Sequence, residues 1–129
     1  MANSKYALEW LDLADHNLKA AEILFHAHHF TDVIGCEIQQ ALEKSLKSLL
    51  ANRNAKIPKT HNLVELYVLQ SDINLEEYEL SFLDQATLYY IGDRYPGPRY
   101  SLPPREEIEA LLDVTQGLLL RIRSIVTEC

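Results

Sequence analysis

Lys44 and Lys47 stand three residues apart, Lys56, Lys59 and His61 follow, and Arg94 and Arg99 alternate with Tyr95 and Tyr100 further along the chain. Side chains of these types suit the holding of phosphate groups. A guanidinium binds phosphate bidentately and an ammonium as a point charge. A tyrosine stacks a base or hydrogen-bonds a sugar, and an imidazole exchanges a proton near neutral pH. The same residues also read as a solvated helix face, a histidine at a helix start, and an arginine tying its loop to Asp93 or Asp84. Residue types alone leave both readings open.

The charge distribution sharpens the first reading. From Lys44 to Asn62 there are five Lys or Arg residues, one His and no carboxylate, although the 129-residue chain has a net charge of −7. From Glu65 to Asp93 there are seven carboxylates and no basic residue. An isoelectric point near 5.1 argues against broad adhesion to DNA or anionic membranes, which requires a basic surface. A local basic patch is compatible with it.

Other chemistries find little support. There is no glycine-rich phosphate loop, G-x-S-x-G elbow or H-E-x-x-H helix. His26, His28 and His29 do not share a helical face, and with only Cys36 and Cys129 present no metal site, cofactor or disulfide framework is expected. Cys36 reads as a small buried residue. Asp12, Asp15 and His16 read as a solvated turn of a first helix, and Glu37 and Glu43 as surface residues. The N-terminal residues lack a signal-peptide core and no apolar run is long enough to span a membrane, so a cytoplasmic setting is expected.

The elements that must position the basic residues are helical. Ala7, Leu11, Ala14, Leu18, Ala21 and Phe25 alternate spacings of four and three, predicting an amphipathic helix from about Ser4 to His28, with Trp10 widening its apolar face. Thr31 opens a second as its cap, with Ile34, Ile38, Leu42, Leu46 and Leu49 as its stripe to about Asn52. Gly35 marks a close helix crossing. Pro58 makes a loop of Arg53–Lys59, after which Thr60 caps a short third helix whose free N–H groups add donors for an anion. A fourth helix is expected from about Glu76 to Ile91, then a Pro-Gly-Pro loop, and a fifth begun by Pro103-Pro104. The fifth helix carries two apolar stripes, Ile108 to Ile125 and Leu112, Leu119 and Val126, enough for a partner as well as a core. The expectation is one all-α domain over residues 1–129, an up-and-down bundle of about five helices.

Gln40-Ala41-x-Glu43-Lys44-x-x-Lys47, then Lys59-Thr60-His61-Asn62-Leu63, then Arg94-Tyr95-Pro96, together with the opening helix bearing Trp10 and Leu18-Lys19-Ala20-Ala21, resemble a HEPN domain over nearly the whole chain. The resemblance implies an all-α bundle, commonly a homodimer, that binds nucleotides or RNA and often acts beside a minimal nucleotidyltransferase in a toxin-antitoxin pair. It points to Lys44, Lys47, Lys59, His61, Arg94 and Tyr95 as ligand contacts. Many HEPN proteins are metal-independent ribonucleases in which an Arg and a His are separated by four to six residues; here that role would fall to His61. The chain departs from this pattern: no Arg precedes His16, His26, His28 or His29, and seven residues separate Arg53 from His61. Lys56 has the required spacing but not the planar fork of arginine. The leading expectation is therefore a non-catalytic nucleotide- or RNA-binding module, with a His61 endoribonuclease and a structural dimerisation module as alternatives.

Overall fold

The three-four spacing of apolar residues produces five helices in the computed structural model, which describes residues 4–92 and 102–128, with backbone alone at Ser4, Ile91 and Gly92. They are α1 (Ser4–His26), α2 (Thr31–Asn52), α3 (Leu63–Val68), α4 (Glu77–Gly92) and α5 (Arg105–Thr127), and no strand occurs among the described residues. Arg94, Tyr95, Arg99 and Tyr100 lie outside the described residues.

The axis of the bundle is α2, which packs against all four other helices and most extensively against α1. Between Gln39 and Ala51 only Gln40 and Lys44 escape burial. A helix enclosed on so many sides must satisfy its polar side chains internally. Ser45 and Ser48 do so by donating to the carbonyls of Leu42 and Ser45 at 2.9 and 2.6 Å. On α1, Ala7, Leu11, Ala14, Ala21 and Phe25 are buried as the spacing requires. The small alanines bring the two backbones close.

The first two helices, α1 and α2, each end on a left-handed residue. His28 and Asn54 each have φ of 56°. His29 N–H donates to the Leu24 carbonyl at 2.9 Å and His28 N–H to that of Phe25 at 3.1 Å; Ala55 and Asn54 repeat the pattern on Leu50 and Ala51 at 2.9 and 3.1 Å. These are Schellman closures, which satisfy terminal carbonyls. The cluster of His26, His28 and His29 is thus a helix stop.

Two capping expectations are corrected. Phe30, not Thr31, is the cap position of α2 and makes no side-chain cap bond. The Thr31 hydroxyl instead donates to the Pro103 carbonyl at 2.7 Å. Beside it, Arg105 donates to the Phe25 carbonyl at 2.6 Å with its guanidinium 3.8 Å from the Phe25 ring centre. These contacts pin the start of α5 to the α1–α2 corner. Likewise α3 begins at Leu63, and its cap is Asn62, whose side chain accepts from Glu65 N–H at 3.0 Å.

Gly35 does mark a close crossing: a methyl group there would sit 2.9 Å from Cγ of Tyr89 on α4. On α5 both apolar stripes are consumed by the core. Ile108, Leu111, Leu112, Leu118, Leu119, Ile122 and Val126 are all buried, while Leu120 is exposed. The width of the stripe reflects contact with both α1 and α2, with α4 at the margin, so it is explained within one chain.

Candidate functional site

The loop leaving α2 is held at both ends. Arg53 Nε donates to Asp72 Oδ1 and Oδ2 at 3.2 and 3.1 Å, and the acidic partner keeps the guanidinium firmly protonated. Part of the basic run is thereby neutralised by the acidic arm that follows it in sequence. At the far end Thr60 Oγ1 accepts from Asn62 N–H at 3.2 Å, and Leu63 N–H donates to Thr87 Oγ1 at 3.1 Å. With Glu65 N–H taken by Asn62, these donors at the start of α3 are spent on local structure, contrary to the expectation that they would serve an anion.

His61 sits between these anchors, and α2 holds it from below. Gln39 Nε2 donates to the His61 carbonyl at 2.8 Å and to Glu43 Oε1 at 3.2 Å. The Gln39 amide is itself oriented by Gln40, whose Nε2 donates to Gln39 Oε1 at 2.7 Å. His61 Nδ1 lies 2.8 Å from Glu43 Oε1. On the outer side the Tyr90 ring stacks on the imidazole, with centres 4.3 Å apart and planes 28° from parallel.

Glu43 is therefore not the surface residue its type suggested. It is buried, and its second oxygen, Oε2, accepts from Lys47 Nζ at 3.0 Å. Burial pushes its carboxyl up, but the hydrogen bonds from His61, Lys47 and Gln39 and the Lys47 charge outweigh burial and hold it below its ordinary range. Glu43 is an anion with donors on both oxygens.

The sequence-predicted residues distribute unevenly around this centre. Lys47 is buried against Glu43, with its ammonium 5.6 Å from the Trp10 ring centre. Lys44 donates to Asn17 Oδ1 at 2.7 Å, and Asn17 in turn donates to Glu37 Oε1 at 2.8 Å. Lys56 and Lys59 are exposed on the loop and form no ion pair among the described residues. Arg94 and Tyr95 lie outside the described residues. Asp15, expected to be solvated, is bridged by Arg123 of α5.

Sequence reading missed Glu43, Gln39 and Tyr90 as parts of one site. A signal existed for the first two: Gln39, Glu43 and Lys47 recur at intervals of four on α2, the spacing at which helical side chains meet. For Tyr90 there was none, because its register on α4 is that of a core residue.

What this arrangement can do follows from its two faces. The inner face of His61 is committed to an anion. The side chain is 51% exposed, and its Nε2 lies within hydrogen-bond reach of Tyr90 Oη, at 3.2 Å. Nε2 thus lies on the exposed side of the ring with the Tyr90 hydroxyl beside it. Such a nitrogen can accept a proton or, once charged, contact a phosphate. Among the described residues no group of three His, Cys, Asp or Glu side chains is placed to hold a metal ion, and no helix is long and apolar enough to cross a membrane.

Comparison with known proteins places the fold. The solved structure of TT1696 from Thermus thermophilus superposes with a TM-score of 0.78 at 28% identity, covering 92% of this chain and 96% of that one. ST0689, an archaeal HEPN homologue, superposes with a TM-score of 0.72 at 17% identity, covering 94% of this chain and 98% of that one. A search of curated proteins finds no match. The family model for the HEPN domain matches residues 7–125, from the first buried alanine of α1 to the last turn of α5, so the chain belongs to the HEPN domain family.

Proposed function

We propose that the protein binds a phosphate-bearing nucleotide or RNA at the outer edge of His61, as a binding module of the HEPN family. The observation that carries this reading is the placement of His61, tethered inward to buried Glu43 and half exposed beside a loop bearing Lys56 and Lys59. Lys59 and His61 are the direct contacts. Arg94 and Tyr95, which lie outside the described residues, are further contacts on the family resemblance alone. Lys44, held by Asn17 of α1, is an outlying contact, and Lys47 acts from within through Glu43. The test is titration with AMP, ADP, ATP and a short single-stranded RNA at low salt. Binding should weaken with added salt and fall at least fivefold in Lys59→Ala, His61→Ala and Arg94→Ala; no binding by any of these probes removes the reading.

One observation favours a second reading. A histidine hydrogen-bonded to a buried carboxylate is an arrangement suited to proton transfer, and the second reading is a metal-independent endoribonuclease using His61 without the Arg–His spacing. Incubating single-stranded RNA with the pure protein in chelator decides it: cleavage lost in His61→Ala supports catalysis, and intact RNA rejects it. We further propose, from the family resemblance, a homodimer that works beside a small nucleotidyltransferase of a toxin-antitoxin pair. Light scattering and coexpression with a nucleotidyltransferase from a neighbouring reading frame test those two assignments.

A further inference from the structure

We infer that Glu43 is a positioning residue that fixes His61 in one tautomer, with Nδ1 carrying the proton and Nε2 an unprotonated acceptor on the ligand side, beside the Tyr90 hydroxyl. The inference rests on the reading of His61 as the ligand-facing group and goes further by assigning the atom that meets the ligand and the residue that selects it.

The hydrogen-bond inventory leaves one solution, in which the Tyr90 hydroxyl, 3.2 Å from Nε2, donates to that nitrogen. Glu43 is an anion, which can only accept. The 2.8 Å contact with His61 Nδ1 therefore requires a proton on Nδ1, whether the ring is neutral or charged. In the neutral ring this strips Nε2 of its proton. The Gln39 amide cannot compete for Nδ1, because both of its N–H groups are engaged, by the His61 carbonyl and Glu43 Oε1, and its oxygen is held by Gln40. A single α2 side chain thus fixes the backbone of His61 while steadying the carboxylate that fixes its ring. Tyr90 stacks over the imidazole and opposes its rotation. Lys47, on the far oxygen of Glu43, keeps the carboxylate charged without approaching His61 through the same atom.

The consequence for a ligand is specific. In the neutral ring the outward nitrogen accepts a hydrogen bond or a proton from a hydroxyl, and it becomes a phosphate donor only after taking that proton. Without Glu43 the imidazole would choose its tautomer freely and the outward atom would be a mixture. A charge-assisted hydrogen bond biases the choice by about tenfold or more.

The test is long-range nitrogen–proton NMR on the full chain without ligand, in the alkaline range where the imidazole is neutral. His61 is assigned by comparison with His61→Asn. Wild type should show a protonated Nδ1 and a bare Nε2, and Lys47→Met, which retains Glu43, should show the same. The double variant Glu43→Met, Lys47→Met removes both buried charges together, and in it the ratio of tautomers should fall about tenfold. A protonated Nε2 in the wild type overturns the inference, as does an unchanged ratio in a double variant that circular dichroism shows to be folded. Should that variant not fold, the wild-type tautomer still decides. Wild type with bare Nε2 but no affinity for the nucleotide and RNA probes would refute the proposed function and leave the positioning of His61 standing; the converse pattern would do the reverse.

Discussion

Glu43 and Lys47 offer the sharpest energetic test of the site. Their side chains are 6% and 8% exposed and meet at 3.0 Å, so neither charge is well solvated if its partner is removed. Breaking a buried pair by deleting one member costs about 3–5 kcal/mol, whereas replacing both by apolar residues of similar volume is often close to neutral. The two single variants are not equivalent here. Lys47→Met leaves Glu43 with His61 and Gln39 as donors, which places its cost at or below the bottom of that range, about 2–3 kcal/mol. Glu43→Met leaves the Lys47 ammonium with only the Trp10 ring as a described partner and should cost about 4–5 kcal/mol. The double variant should lie within about 1 kcal/mol of wild type. Against a total stability of about 5–15 kcal/mol for a domain of this kind, the single losses are large. Urea unfolding at pH 7, with slopes checked for constancy, measures all four corners of the cycle. Two single losses below about 1 kcal/mol that simply add in the double variant would refute the reasoning, because they would mean that both charges remain hydrated.

Further outcomes follow from the same contacts. The carboxyl of Glu43 is lowered in the folded state, so its contribution is fully present above its ordinary value of 4.5 and is lost as the pH falls through the lowered folded value. The stability gap between wild type and Glu43→Met should be flat from pH 6 to pH 7 and narrow in acid, as urea melts across pH will show. Thr87→Val leaves the Leu63 N–H without its acceptor and should cost about 1–3 kcal/mol, loosening the start of α3 beside His61. Hydrogen exchange at the Leu63 amide reads the local effect, and unchanged protection counts against it. Gly35→Ala drives a methyl into the Tyr89 ring and should destabilise by about 1–2 kcal/mol in spite of the better helix propensity of alanine. His28→Gly relieves a left-handed residue and should raise stability by about 0.5–1 kcal/mol; a loss in thermal unfolding would show that the His28 side chain has a role of its own.

Much of the fold was legible because helix identity is written locally. The intervals of three and four on α1, α2 and α5 require one buried stripe each, and α2 runs over Thr31–Asn52 as its apolar spacing predicts. Pro58 marked the loop before α3 for a similarly local reason, since it removes a donor and restricts the residue before it, whereas α2 itself is stopped by the left-handed Asn54. Caps were less legible. Thr31 and Thr60 are good cap residues by type, but one hydroxyl is taken by Pro103, far along the chain, and the other is displaced by Asn62, two residues on.

The site divides along the same line. Sequence alone determined that a basic stretch with His61 at its end joins two helices, since charge and loop chemistry need no knowledge of neighbours. It could not determine which of those charges would face outward. Lys47 and Glu43 have the residue types of a solvated face, and only the packing of α2 among all four other helices buries them. Burial removes water, so each must find its partner within the protein, and that necessity brings Glu43 to His61. Tyr90 arrives by a route that no local pattern records, because α4 meets α2 where Gly35 lets Tyr89 approach, and the next residue then falls over the imidazole. The sequence determined the helices and the excess of positive charge; the tertiary structure decided that a buried anion would orient the histidine, because that choice depends on desolvation, which no segment has by itself.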